Sequence, residues 1–434
     1  MTTRPNPMRT MMNRRRAGEK TGMPSYCTAN KLVLETILKR CAETKQPVLI
    51  EATANQVNQY GGYTGMRPAD YYRWVRTRAE ELGADPDLVI LAGDHLGPLT
   101  FADLPEEQAM QKAKELVYEY ARAGFTKIHL DTSMKVADDP AGPLATGTVA
   151  RRGKELYDVA MKAYRELLKE VPDAPRPVFV IGSEVPIPGG AQEAEDTLAV
   201  TKPEDFADTV ETYLTFFGDA MEDVIAVVVQ PGVEFGDDQI FLYDHDKAAA
   251  LTAKLQDYPE LVFEGHSTDY QSRECLRQMV EDGVGILKVG PALTYAMREA
   301  IFALSMIEKE LLPEEKQAHV METLDQVMLE SPANWIKHYH GTEKECCLAR
   351  KYSFSDRARY YIGDSRVQDT ITKLFANLRS CEIPMNMLHQ YMPLQFDAVR
   401  KGALSRDPQE LAEDAVIRVL RDYEYAAGFP SDND

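Results

Sequence analysis

Short apolar runs recur along the first three hundred or so positions, each followed by a longer stretch with apolar residues at helical spacing. The runs are YCTA (26–29), PVLIEAT (47–53), LVILAGDH (88–95), KIHLDTS (127–133), VFVIGSE (178–184), IAVVVQPG (225–232), LVFEGHS (261–267) and ILKVGPA (286–292). Between them lie segments such as 105–124, which ends in a glycine, and 154–171, which stops before Pro172. Glycine and proline at those places are helix stops. Strands alternating with helices imply a parallel sheet, because parallel neighbours need a crossover. Near-continuous apolar runs fit strands covered on both faces. Eight such runs predict an α/β fold, a (β/α)8 TIM barrel over residues 12–312. Beyond 312 the strand pattern ends. Residues 313–339, 354–380, 385–400 and 407–426 read as amphipathic helices, so 313–434 is expected to be a helical extension packed on the barrel. Residues 1–11 read as a flexible tail.

The polar residues of this pattern are not scattered. The runs end in Glu51, Asp94-His95, Asp131, Glu184, Gln230, Glu264-His266 and Lys288. A carboxylate at one strand end could simply cap the next helix, but a barrel brings all these ends to one face, where barrel enzymes carry out their chemistry. His95 and His266 are imidazoles of the kind that bind a borderline divalent metal, and Glu184 between them offers an anionic third ligand. Such a set, with an open position, is a Lewis-acid site for a carbonyl. Glu264 is an alternative ligand, since side chains two apart on a strand face the same way. Asp94 is the candidate acid/base. His129 is read as a satisfied core histidine. Asp131 and Lys288 are expected to orient substrate, with Glu51 or Glu264 serving its other face. Three loops suggest phosphate binding: the Gly61-Gly62 turn, the stretch Ser267-Thr268-Asp269 after the seventh run, and Gly290 after the eighth. Gln230 joins this substrate-facing group.

Composition narrows the function classes. The chain has 434 residues with 69 acidic against 49 basic side chains, a net charge of −20. That balance argues against nucleic acid as a partner, because a phosphate backbone needs a basic face. No run reaches the ~18 apolar residues of a membrane span. Six dispersed cysteines without a CxxC, and no apolar segment after Arg14-Arg15-Arg16, predict reduced thiols and a cytoplasmic protein. No GxGxxG follows the first run, so no NAD site is expected.

Long stretches also carry a resemblance. IEATANQVNQYGGYTGM (50–66), GDHLGP (93–98), AGFTKIHLDTSM (123–134), IGSEVPIPGG (181–190), VVVQPGVEF (227–235), GHSTDYQ (265–271), LKVGPALTYAMREAIFAL (287–304) and YSFSDRARYY (352–361) resemble the GatZ/KbaZ group. That group is named for the D-tagatose-1,6-bisphosphate aldolase subunit. A remoter similarity is to class II fructose-bisphosphate aldolases. There an Asp-His pair matching Asp94-His95 supplies acid/base and zinc ligand, with Glu184 standing where a second ligand histidine is expected and His266 near the third. Lys288-Val289-Gly290 resembles their KVN segment, with glycine for asparagine. The resemblance implies a ketohexose phosphate as small-molecule substrate. It also implies a divalent metal, zinc first, with Mn, Co, Ni or Mg as alternatives. A homo-oligomer is expected, or a hetero-complex with a class II aldolase subunit. The family holds two roles. The expectation placed first is a metal-dependent 4-epimerase interconverting D-tagatose 6-phosphate and D-fructose 6-phosphate, or the free sugars, by retro-aldol chemistry. The alternative is an aldolase subunit, catalytic or supporting a partner.

Overall fold

The computed structural model describes residues 3–182 and 198–430. The chain opens with helix α1 (Pro7–Arg16) and then alternates: β1 (Met23–Cys27), α2 (Lys31–Thr44), β2 (Val48–Thr53), α3 (Pro68–Glu81), β3 (Val89–Leu96), α4 (Glu106–Ala123), β4 (Lys127–Leu130), α5 (Thr146–Leu167), β5 (Val178–Ile181), α6 (Pro203–Phe217) and β6 (Val224–Val229). A small hairpin of β7 (Glu234–Phe235) and β8 (Ile240–Phe241) follows, then α7 (His245–Leu255), β9 (Val262–Gly265), α8 (Arg273–Glu281), β10 (Val284–Val289) and α9 (Pro291–Leu311). Strands β1 to β6, β9 and β10 pair in that order around a closed parallel ring, and β10 pairs back to β1. The chain is thus a (β/α)8 barrel. Local chemistry sets the boundaries. Asn30 caps α2 by accepting from the Val33 N–H, and Gly124 ends α4 in the left-handed region.

Every second strand residue points into the barrel, and polarity rises from floor to mouth along that series. The floor is apolar: Met23, Leu49, Ile90, Val178, Val262 and Ile286 pack together. The helix α1 closes it from below with Met8, Met11 and Met12, so a helix starts where the sequence predicts a flexible tail through residue 11. The cause is local: Asn6 caps the helix and also donates to the Thr126 and Arg176 carbonyls, while methionines at i, i+3 and i+4 share one face. Above this floor lie Ser25, Glu51, Lys127 and Glu264, and above them the histidines.

The extension contains α10 (Val320–Glu330), α11 (Glu343–Tyr352), α12 (Ser365–Ser380), α13 (Met385–Tyr391), α14 (Pro393–Arg400) and α15 (Pro408–Ala427). Pro393 splits the helix expected over 385–400, because proline cannot continue the ladder. The helix expected from 354 begins instead at Ser365. The residues before it form a strap of successive turns, one of them the 3-10 turn Arg357–Tyr360. The last helix, α15, returns to pack on α2, α8 and α9. It is tied there by a buried Arg40–Glu424 ion pair of 2.7 Å and by the Tyr423 hydroxyl, which donates to the Thr268 carbonyl at 2.7 Å. No helix among the described residues is long and apolar enough to cross a membrane.

Candidate active site at the barrel mouth

Strand β3 does something a regular strand cannot. Adjacent residues of a strand face opposite ways, yet both Asp94 and His95 turn inward. The pairing of β3 with β4 shifts register between Gly93 and Leu96, and His95 takes a left-handed backbone with φ 48°. This bulge re-aims one side chain. Gly97 makes it possible, since a Cβ there would lie 1.7 Å from the Asp131 carbonyl oxygen. The GDHLGP stretch is therefore a device for presenting two neighbouring functional groups.

Three imidazoles meet at this level. The ring centroids of His95 and His129 are 5.1 Å apart, those of His95 and His266 5.1 Å, and those of His129 and His266 5.5 Å. Each ring is held by its own carboxylate. His95 Nδ1 bonds Asp131 at 2.8 Å, His129 Nδ1 bonds Asp94 at 2.8 Å, and His266 Nε2 bonds Glu264 at 2.9 Å. His129 Nε2 also bonds the Gly182 carbonyl at 2.9 Å. The other oxygen of Asp94 pairs with Lys288. Below, Lys127 bridges Glu51 and Glu264, reaching the latter at 2.7 Å, and Ser25 donates to Glu51 at 2.9 Å.

The electrostatics follow from burial and these pairings. Burial pushes the His266 imidazole down to about 4 and also lowers His129, so both are neutral at pH 7. Burial would raise Asp131, but the hydrogen bond and charge of His95 more than reverse it and hold the carboxylate low. Burial acts the same way on Glu51 and Glu264, and it is reversed only by Lys127 acting with Lys288 on the first and with His266 and His129 on the second. A neutral imidazole with one nitrogen on a carboxylate, as at His266, is what a metal centre requires. Asp94, His129, Glu264 and His266 can each bring one donor atom within 4.8 Å of the others, and so can His95, His129 and Asp131. The donor set fits a divalent cation.

A cavity of about 240 Å³ opens above this cluster. Of the residues predicted from sequence, His95, Asp131, His266, Ser267, Asp269, Lys288 and Gly290 line it. Asp94 is fully buried just behind Lys288. Other predicted residues stand elsewhere. Glu51 and Glu264 are sealed around Lys127 and present no face to a substrate, because an inward lysine reaching across the barrel interior from β4 claims them. Thr268 turns into the core, where its hydroxyl donates to the Lys288 carbonyl at 2.7 Å. Gln230 caps its own loop by accepting from the Gly232 and Val233 N–H groups. Gly61 and Gly62 are off the cavity; their left-handed turn places Tyr63 on its wall. The Gly290 N–H does not face a ligand but donates to Asp269 at 2.9 Å. Glu184 lies outside the described residues.

Several site residues escape the sequence reading. His129, expected as a satisfied core histidine, is buried and bonded through both ring nitrogens, and it also stands inside the cluster. The signal was present: Lys127, His129 and Asp131 alternate along one strand. Gln56, Tyr63, Phe235, Arg359 and Tyr360 also line the cavity. The last two come from the strap of the extension, for which strand-end reasoning has no place.

The fold and its mouth define a closed (β/α)8 barrel with a histidine–carboxylate centre at the C-terminal strand ends. Within that class, residues 8–428 match the family described as D-tagatose-1,6-bisphosphate aldolase subunit GatZ/KbaZ-like, and the chain belongs to that family. It is 44% identical over 423 residues to the D-tagatose-1,6-bisphosphate aldolase subunit GatZ of Klebsiella pneumoniae, covering 96% of this chain and 98% of that one. The GatZ subunit of Salmonella enteritidis is 43% identical over the same span. A crystal structure from Sinorhizobium meliloti, described as a probable tagatose 6 phosphate kinase, superposes with a TM-score of 0.85 at 41% identity, covering 94% of this chain and all of that one.

Proposed function

We propose that the chain is a D-tagatose-1,6-bisphosphate aldolase subunit whose own barrel mouth makes and breaks a carbon–carbon bond of a ketohexose phosphate. The observation that carries this is the trio of imidazoles, each fixed by a carboxylate, beside the Asp94–Lys288 pair at the floor of the cavity. The names of the relatives supply the sugar: all three refer to tagatose carrying phosphate.

His95 and His266 would hold a divalent metal, with zinc the first candidate for imidazole ligands, and His129, bonded through both ring nitrogens, braces Asp94 beside them. Such an ion supplies Lewis acidity toward a ketose carbonyl. The chain's own residues do the rest. Asp131 keeps the Nδ1–H of His95 and so turns its Nε2 toward the cluster. Lys288 balances the negative charge that builds on the substrate oxygens as the bond breaks. As its ammonium turns to that charge, the Asp94 oxygen it covered is released to take the proton of the C4 hydroxyl. Glu51, Glu264 and Lys127 touch no substrate and hold His266 in place.

A second reading has one observation in its favour. In a 4-epimerase the same bond is cleaved, the aldehyde fragment turns, and the bond reforms, so both fragments must be retained. The strap over the mouth, with Arg359 and Tyr360 on the cavity wall, suits retention. None of the relatives named above is called an epimerase, which sets this reading second.

One assay separates them. Purified chain is incubated with divalent metal and D-tagatose 1,6-bisphosphate, with and without a class II aldolase chain, and separately with D-tagatose 6-phosphate. Triose phosphates from the bisphosphate, by the chain alone, carry the first reading; fructose 6-phosphate carries the second. Cleavage seen only with the added aldolase, and unaffected by Asp94→Asn in this chain, would reject a catalytic mouth.

A further inference from the structure

The strap between α11 and α12 is anchored on three sides. Asp356 is buried with φ 43°, and its two carboxylate oxygens are taken by Arg298 and Thr294 of α9, each at 2.6 Å. Tyr270, after β9, donates its hydroxyl to the Phe354 carbonyl at 2.6 Å. Asp237, in the β7–β8 loop, accepts from the Ser353 hydroxyl at 2.7 Å, and its carbonyl accepts from the Phe354 N–H at 2.9 Å. A segment held this firmly delivers its side chains to fixed positions.

One of them is a guanidinium at the cavity wall. Arg359 donates to the carbonyls of Ser355 and Asp356 in its own turn, to the latter at 3.1 Å, and to the Tyr360 hydroxyl at 3.0 Å. Its carbon lies 4.5 Å from the centroid of the Tyr360 ring, and that ring meets Tyr63 edge-on at 5.2 Å. The cation is thus stacked and oriented. Among the described residues no carboxylate forms an ion pair with it. Asp356 beside it is committed to Arg298, and Asp269 across the cavity to the Gly290 and Ala292 N–H groups. The other cation of the cavity wall, Lys288, is paired with Asp94. A half-buried guanidinium without a counterion among the described residues, facing a cavity, is matched by an anion whose oxygens accept its fork.

We propose that Arg359 is the phosphate receptor of this site, and that the extension, rather than the loops after β9 and β10 alone, makes the mouth select phosphorylated over free ketohexoses. The proposal deepens the aldol reading and rests on it for the identity of the sugar. Arg359 acts on binding and positioning; the reacting groups lie deeper in the barrel.

The test uses the full chain and begins with inorganic phosphate, followed by thermal shift and by calorimetry. Wild-type protein is expected to be stabilised by phosphate, with Arg359→Gln binding it at least tenfold more weakly. Arg359→Lys keeps the charge but lacks the fork, and is expected to lose about fivefold. In turnover, Arg359→Gln should raise KM for the phosphorylated sugar tenfold or more, change kcat less than about threefold, and leave the free sugar unaffected. Circular dichroism without phosphate checks folding, and Arg359→Lys decides the matter if the glutamine variant does not fold. Phosphate affinity unchanged in either folded variant, or no phosphate binding by wild type, overturns the proposal. Arg359-dependent phosphate binding without turnover of any ketose would leave the receptor standing and reject the aldol reading instead.

Discussion

The chemistry of each imidazole at the mouth is decided by the carboxylate it turns to. Asp131 keeps the size and place of its side chain in Asp131→Asn but loses the charge that orients His95. Carboxylates that hold a ligand imidazole in this way are worth about 10–100-fold in metal affinity. That loss is expected here, read by metal titration, with little change in fold; an unchanged affinity would show that His95 takes no part. Glu234, near the mouth, gives a different test. Burial pushes its carboxyl up from 4.5 to about 7, against the Phe235 N–H and Ser267 bonds that favour the charge. Between those values the folded chain binds more protons than the unfolded one, so stability falls as pH rises through that window. Glu234→Gln removes the ionisation and should stabilise the chain by about 2–3 kcal/mol at pH 8. The gain should vanish near pH 4, measured as urea midpoints at the two values. At this scale the sequence shows which strand ends carry chemistry, and it hides how they are shared. Nothing in PVLIEAT or LVFEGHS reveals that Lys127 of a third strand locks Glu51 and Glu264 away from substrate.

The elements were legible where a period was clean. The strands show it, because inward and outward positions alternate and the outer set is almost wholly apolar. Strand β1 is the exception: Pro24 and Ser25 break its run, so its apparent start at residue 26 lies inside the strand Met23–Cys27. Helix α1 was hidden differently. It carries four arginines, with Pro5 before it and Pro7 at its first position, and only the methionine spacing points inward. Met8 is fully buried against the barrel floor. Met8→Ala should therefore cost about 2–5 kcal/mol, the range for emptying a buried methionine site, as measured by urea denaturation. A cost below about 0.5 kcal/mol, typical of surface positions, would mean that α1 does not seal the floor. The strap escaped for the opposite reason. The sequence predicts a helix from residue 354, but Asp356 in a left-handed backbone stops one there, and tertiary anchors set the strap's course.

Taken whole, the molecule does not divide cleanly at residue 312. The extension leaves the barrel after α9 and comes back through α15, whose Leu411, Val416, Leu420 and Tyr423 are buried against α2, α8 and α9. Removing it would expose the apolar face on which α15 packs and take away the Glu424 partner of Arg40. A chain ending at residue 312 is thus expected not to fold cooperatively. A gentler measurement uses the two tryptophans. Trp74 lies in α3 of the barrel, and Trp335 is buried in the extension, its indole N–H donating to the Met328 carbonyl at 2.6 Å. In Trp74→Phe the fluorescence reports the extension, and in Trp335→Phe the barrel. If the two parts share one core, denaturant midpoints from fluorescence and circular dichroism coincide within each variant, the signature of a single transition. An extension that melts well before the barrel would separate the strap from the site, and the mouth would then owe its closure to a part able to come and go.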